Sequence, residues 1–384
     1  MKSKFILAAS IAMALATSAQ ATTTVVLTGA TSFRHAIHAS LAHLHPSAKI
    51  AYTGGTTLDT ATQAVFDDNA NGVIVLTSFT GSGAGIQALD TNTKVTVINT
   101  ADSANAGSVG SGTHLSTATT TTVLADAALS DVTQSATAYN STSLSDQTVG
   151  VMPFVWVTNS IGKNLGITNI TANFANSTLQ DGSTPASFLT GNSADAAKSV
   201  YITGRNSGSG TRITTLAEIN YPADTNVNQY APVYTGSIIT GLTHLATTAG
   251  LSSGGDVATA LNASLSSTIT NGTKTIDSSK VVLLSYLAYS DAVSVTNGSI
   301  LNYNGVSFLT GGVPNTNIQN GAYTFWGYEH LLTPSATDND SDKTAVLNDL
   351  VRDIPNFLGT GTQTIGIGLD SMNVQRSGDG QFVY

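Results

Sequence analysis

No cysteine occurs anywhere in the chain. That absence excludes a disulfide framework, a thiolate metal site, a cysteine nucleophile and a lipid-anchored N-terminal cysteine. Charge is scarce too: only 10% of the 384 residues are Asp, Glu, Lys or Arg, and the formal net charge is −9. Nucleic-acid binding through a broad basic face is therefore not expected. There is no Gly-Lys-Ser/Thr phosphate loop, no Gly-x-Ser-x-Gly nucleophile elbow and no His-Glu-x-x-His zinc motif. Beyond the N-terminus no apolar run is long enough for a membrane span. Proline is rare, with 8 residues, and the Ser/Thr-rich tract near residues 103–122 has none, which argues against a mucin-like stalk.

What the chain does have is a 41% hydrophobic share, enough for two lobes at this length. Its many Ser, Thr, Asn and Gly residues suit an exported protein. Lys2 and Lys4 precede an apolar stretch from Phe5 to Ala16, and Ser18-Ala19-Gln20-Ala21 offers a small-residue cleavage site. This is the layout of a secretory signal peptide over residues 1–21. The mature chain is expected in the periplasm or outside the cell, without a stable membrane anchor.

Residues 24–28 read as a strand ended by Gly29, and Phe33, Ile37, Leu41 and Leu44 recur at helical spacing until Pro46. Lys49–Tyr52 and Val73–Leu76 read as further strands, with a helix start over 60–66. The alternation predicts an α/β fold with a largely parallel sheet. From Ser78 to about Thr122 the pattern dissolves into a Ser/Thr/Gly-rich insertion, flexible over 103–122, and Ser78–Gly85 reads as a turn within it. Two apolar runs, Val149–Thr158 with Pro153 inside and Ala322–Leu332, read as strands crossing between two lobes. Further strands are expected near 199–203 and 281–289, and a C-terminal helix over Ala345–Leu358 returns to the first lobe.

The stretch Val200–Arg212 is the most informative. A β-prone run enters a small-residue turn, and a helix follows from Ile213 to Ile219. Gly208 and Gly210 allow close backbone approach. Ser209 and Thr211 place hydroxyls and N–H groups at a helix N-terminus, where an anion is favoured. Arg205 can grip two oxygens of a tetrahedral oxyanion. A plain Gly/Ser turn that caps a helix accounts for the same residues, so two readings stand at this point.

Arg205-Asn206-Ser207-Gly208-Ser209-Gly210-Thr211 resembles the Arg-x-x-Gly-Ser-Gly-Thr motif of the phosphate-binding proteins of bacterial ABC importers. Gly29-Ala30-Thr31-Ser32 is similar to that family's Gly-Ala-Thr-Phe, with Phe33 one place late. Asp126–Asp131 matches its Asp-x-x-x-Ser-Asp, and Tyr286–Tyr289 its Tyr-x-x-Tyr strand. The resemblance implies a two-lobed periplasmic-binding-protein fold of type II with two crossing hinge strands. Lobe I would comprise 22–152 and 325–384, and lobe II 153–324. It implies a phosphate-binding, non-enzymatic, cofactor-free monomer that serves an ABC permease. By the same resemblance, Thr31 and the Ser32 backbone would bind one face of the anion. Thr56 would come from the turn after the second strand. Arg205 would supply the charge, and Ser209, Gly210 and Thr211 the helix-end donors. Asp131 would accept the anion's own proton, so that hydrogenphosphate is taken and fully deprotonated sulfate repelled. An extracellular scavenger of the same fold and a phosphate-ester hydrolase are the alternatives.

Two clusters read as structural. His35, His38, His43 and His45 crowd the first helix and are expected on its exposed face rather than around a metal. Asp338, Asp340 and Asp342 alternate like a calcium loop, but Lys343 stands where such a loop needs Gly. They are expected to cap the next helix. Trp156, Trp326 and Tyr328 are expected to pack the crossing strands.

Overall fold

The computed structural model describes residues 22–222, 226–310, 313–314, 316–358 and 366–384. The expected signal peptide lies outside them. In the first lobe the chain runs β1 (Thr23–Gly29), α1 (Arg34–Leu44), β2 (Lys49–Thr53), β3 (Gln63–Asp68), β4 (Val73–Phe79) and α2 (Ser82–Asp90). It continues through β5 (Val95–Ile98), α3 (Thr100–Ala106), β6 (Thr113–His114), β7 (Thr120–Val123) and β8 (Ala127–Ser130) into β9 (Ser145–Thr158). The second lobe holds β10 (Ser183–Pro185), β11 (Ser199–Ile202), α4 (Gly210–Glu218), β12 (Val227–Thr235), β13 (Ile238–Thr247) and α5 (Gly254–Asn262), with shorter elements between. β14 (Leu265–Asn271), β15 (Lys274–Asp277) and β16 (Val281–Ala288) complete it, and β17 (Trp326–Thr333) and α6 (Ser341–Asp353) return to the first lobe.

One sheet runs through both lobes in the order β10-β11-β16-β9-β17-β8-β1-β4-β3-β2-β6. It is mixed rather than largely parallel: β3 is antiparallel to β2 and β4, and β17 to β8 and β9. The expected helix over 60–66 is instead the start of β3. Ala64 and Phe66 enter one apolar cluster and Val65 another, so the strand is buried on both faces and shows no alternation to read.

The segment 78–122 carries regular structure where the sequence pattern dissolves. It finishes β4 and supplies α2, β5, α3, β6 and most of β7. Ser and Thr cover its outer faces where most proteins use charge, so its composition mimics a loop while Ile86, Leu89, Val97 and Ile98 are buried.

β9 is the first crossing strand. It pairs with β17 from Ser145 to Pro153, then with β16 from Phe154 to Thr158. Proline sits where the partner changes and no ladder N–H is required of it. The return crossing is at Phe325–Trp326, where the Phe154 N–H donates to the Phe325 carbonyl at 3.0 Å. Trp156 and Trp326 are fully buried there, as expected of hinge packing. Trp156 meets Tyr286 edge-on at 5.6 Å, and the Arg376 guanidinium lies 4.2 Å over Trp326. The C-terminal helix begins earlier than its apolar pattern, because Asp340 caps it by accepting from the Asp342 and Lys343 N–H groups. Leu347 and Leu350 bury it against the first lobe.

The histidines do not form the expected exposed face. His38 is fully buried, with Nδ1 at 2.7 Å from the Leu58 carbonyl and Nε2 at 2.9 Å from the Thr77 hydroxyl. The other three each meet a carboxylate: His35 with Asp59, His43 with Asp353 and His45 with Asp68. Burial lowers the His38 pKa to about 4. The unfolded chain therefore takes up a proton near pH 6.5 that the folded chain refuses until about pH 4. Stability should fall by about 3 kcal/mol across that window as pH drops. Urea unfolding at several pH values should show this slope in the wild type and a flatter one in His38→Gln.

Candidate functional site

β1, β4 and β8 run parallel, so their carboxyl ends open on the same side of the sheet. The residues that leave those ends are Thr31 and Ser32 before α1, Ser82 at the start of α2, and Asp131. In the second lobe β11 and β16 are also parallel. Their ends release Arg205–Thr211 into α4 and Ser290–Asp291. Loops at the carboxyl ends of parallel strands are where open α/β sheets place ligands. Here the loops of the two lobes meet.

Asp131 is the centre of that meeting. The Ser32 hydroxyl donates to its Oδ1 at 2.5 Å and the Thr211 hydroxyl to its Oδ2 at 3.3 Å. Its N–H donates to the Ser82 hydroxyl at 3.1 Å, and its carbonyl accepts from Thr214 at 3.3 Å. Direct bonds close the seam around it. The Gly83 N–H donates to the Gly208 carbonyl at 2.9 Å, and the Ser290 hydroxyl to the Ser32 carbonyl at 2.9 Å. Burial raises the Asp131 pKa, while the Ser32 hydroxyl, Glu329 and the Arg205 charge act in the opposite direction.

Arg205 is 1% exposed. Its Nε donates to the Leu251 carbonyl at 3.3 Å and an Nη to the Ser252 carbonyl at 3.0 Å. Burial draws its pKa down, and the charges of Asp291 and Asp131 draw it up. Arg205, which the resemblance names as the source of the site's charge, has two other arginines close by. Arg212, also 1% exposed, donates to the Arg205 carbonyl at 3.1 Å, and Arg34 pairs with Asp291 at 3.5 Å.

Of the eight residues singled out from sequence, Thr31, Ser32, Asp131, Arg205, Ser209, Gly210 and Thr211 are buried together at the seam. Thr56 is exposed, on the wall of a 690 Å³ cavity between the lobes that Thr31, Ser32 and Arg34 also line and that Asp256 and Asp291 close from the other side. Ser209 performs the capping role of the alternative reading, since its hydroxyl accepts from the Arg212 N–H at 3.3 Å. Gly210 is required by space: a Cβ there would lie 2.7 Å from the Ser82 Cβ and 2.9 Å from the Asp131 Cβ. Sequence reasoning missed Ser82, having read Ser78–Gly85 as a turn in the insertion, and it missed Arg34, Asp291 and Glu329. Glu329 carried a visible signal as the one carboxylate within the apolar run Ala322–Leu332.

No family model and no curated protein matches the sequence. Solved structures do match its fold. A structure described as a phosphate ABC transporter substrate-binding protein with bound phosphate, from Clostridium perfringens, aligns over 90% of this chain and 100% of its own at 12% identity and a TM-score of 0.51. An ABC-type phosphate transport receptor from Vibrio cholerae aligns over 85% of this chain and 93% of its own at 15% identity and a TM-score of 0.45. By its likeness to the Clostridium perfringens structure, the chain has the α/β periplasmic-binding-protein fold of type II. Among the described residues, no helix is long and apolar enough to cross a membrane.

Proposed function

We propose that the chain is an exported solute-binding protein that captures phosphate, or a related tetrahedral oxyanion, between its lobes and delivers it to an ABC-type permease. Lobe I would be 22–152 with 325–384, and lobe II 153–324, with the boundary at the Pro153 and Phe325–Trp326 crossings. The observation that carries this reading is the setting of Asp131. A buried carboxylate sits where hydroxyl donors before α1 and on α4 converge, with the Arg205 charge acting on it. Such a group accepts a proton from a ligand that still has one and repels a ligand that has none. Thr31, Ser32 and Thr56 would hold the anion from lobe I, and Arg205, Ser209, Gly210 and Thr211 from lobe II. The chain's overall negative charge does not prevent this, because salt screens distant charges over about 8 Å.

Thermal melting with a panel of oxyanions tests the reading. Phosphate at about a hundred times its dissociation constant should stabilise the protein by about 2.7 kcal/mol, with arsenate next and sulfate inactive. A melting temperature that no tetrahedral oxyanion moves would remove the proposal.

A further inference from the structure

Glu329 lies on β17, in the middle of the sheet, and is 0% exposed. β17 and β8 are antiparallel with His330 opposite Ser130, so the next step of the register sets Glu329 beside Asp131. On the other side, β9 presents Gly150, at a register shift between Glu329 and His330. Neither carboxyl oxygen of Glu329 receives a hydrogen bond from an N–H or a hydroxyl among the described residues. Its interacting polar neighbour is the Asp131 carboxyl itself. Two acceptors pressed together out of water, with no cation on Glu329, require a proton between them.

The groups around the pair fix which partner holds that proton. Asp131 receives the Ser32 and Thr211 hydroxyls and lies within the field of Arg205. Each of these favours its charged form. Thr214 on α4 bonds only the Asp131 carbonyl, and His330 points its Nδ1 away, to Asp146 at 2.7 Å. Among the described residues nothing comparable supports a charge on Glu329. Burial and the Asp131 charge both raise its pKa well above the ordinary glutamate range.

We infer that Glu329 is a specificity-determining residue of the oxyanion site: a neutral carboxylic acid that donates its proton in a hydrogen bond to Asp131 and so holds Asp131 as the carboxylate that faces the ligand. The inference rests on the phosphate reading above. A carboxylate offers about four acceptor positions. Ser32, Thr211 and Glu329 fill three, which leaves one for the single proton of a hydrogenphosphate. Without the Glu329 donor, Asp131 would itself take up a proton in this buried place. It would then present a donor to the ligand, and sulfate would be tolerated.

The test uses the full mature chain. Infrared difference spectroscopy at neutral pH, Glu329→Gln against wild type, should show loss of a protonated-carboxyl carbonyl band. This readout needs no ligand, so it decides the protonation of Glu329 even if the phosphate reading fails. In calorimetric titration, Glu329→Gln should keep the preference for phosphate over sulfate, because its amide still donates to Asp131. Glu329→Leu should lose that preference by about tenfold or more. Phosphate affinity of the wild type should also fall at alkaline pH, as Glu329 ionises, and that fall should be absent in Glu329→Gln. Absence of the band loss, or a leucine variant that discriminates like the wild type, overturns the inference. If the leucine variant does not fold, the band and the pH profile of the glutamine variant decide it. A wild type that binds no tetrahedral oxyanion overturns the phosphate reading instead.

Discussion

Arg205→Ala is expected to lose both oxyanion binding and about 3 kcal/mol of folding stability, the upper end of the cost of leaving buried polar groups without their partners. The residue motif alone suggests a pure binding loss with the fold intact. The structure adds the second effect, because Arg205 also bonds the Leu251 and Ser252 carbonyls ahead of α5 and faces the Asp131 and Asp291 charges. Removing the guanidinium leaves the Ser252 carbonyl without its donor, leaves the Leu251 carbonyl with the Asn206 N–H alone, and takes from Asp131 its compensating charge, while Asp291 keeps Arg34. Arg205→Lys separates the contributions: it restores the charge but not the two-pronged grip. Lysine should therefore recover part of the stability and little of the affinity. Urea unfolding and calorimetric titration of the two variants check this, and an unfolding midpoint in Arg205→Ala equal to wild type would refute the structural half.

Gly29→Ala should be comparably damaging although it touches no ligand. Gly29 has φ +107°, a region that residues with a side chain rarely adopt. A Cβ there would run into the Leu129 carbonyl oxygen and lie 2.9 Å from the Leu129 nitrogen, both on the backbone of β8. The adjoining peptide groups tie the site loops together. The Ala30 N–H donates to the Leu129 carbonyl, and the Gly81 N–H to the Gly29 carbonyl, each at 2.8 Å. Thr31, Ser32, Ser82 and Asp131 thus depend on one close approach of β1, β8 and α2. Backbone strain of about 1–3 kcal/mol and overpacking of about 1–3 kcal/mol point to a total loss of about 4 kcal/mol. Denaturant unfolding measures it, and a loss below about 1 kcal/mol would show that the approach is not tight.

Much of this arrangement was legible in the chain itself. The Gly-Ser-Gly-Thr turn, the Gly-Ala-Thr segment and the Ser130-Asp131 end of β8 are local motifs, and each follows the carboxyl end of a strand in the structure. The crossing strands were legible because long apolar runs with a proline and tryptophans have few other uses. What stayed hidden depends on three-dimensional contact. The Ser82 loop has no charge and sits in a Ser/Thr-rich stretch, so nothing marked it as the piece that fits against Gly208 and Gly210. His38 looked exposed because helical spacing places it near other histidines, whereas the wall of β3 and β4 buries it. Glu329 looked incidental until strand register set it beside Asp131. Thr56, assigned by resemblance to the turn after the second strand, stands on the cavity wall rather than at the buried seam.

The central claim is that a buried carboxylate selects a protonated tetrahedral anion. Parallel calorimetric titrations of the wild type and Asp131→Asn with phosphate and with sulfate, at neutral pH, test it most directly. The account predicts saturable one-site phosphate binding by the wild type, no sulfate binding, and an Asn variant that no longer separates the two. Equal binding of phosphate and sulfate by the wild type, or an Asn variant that discriminates as well as the wild type, would contradict it.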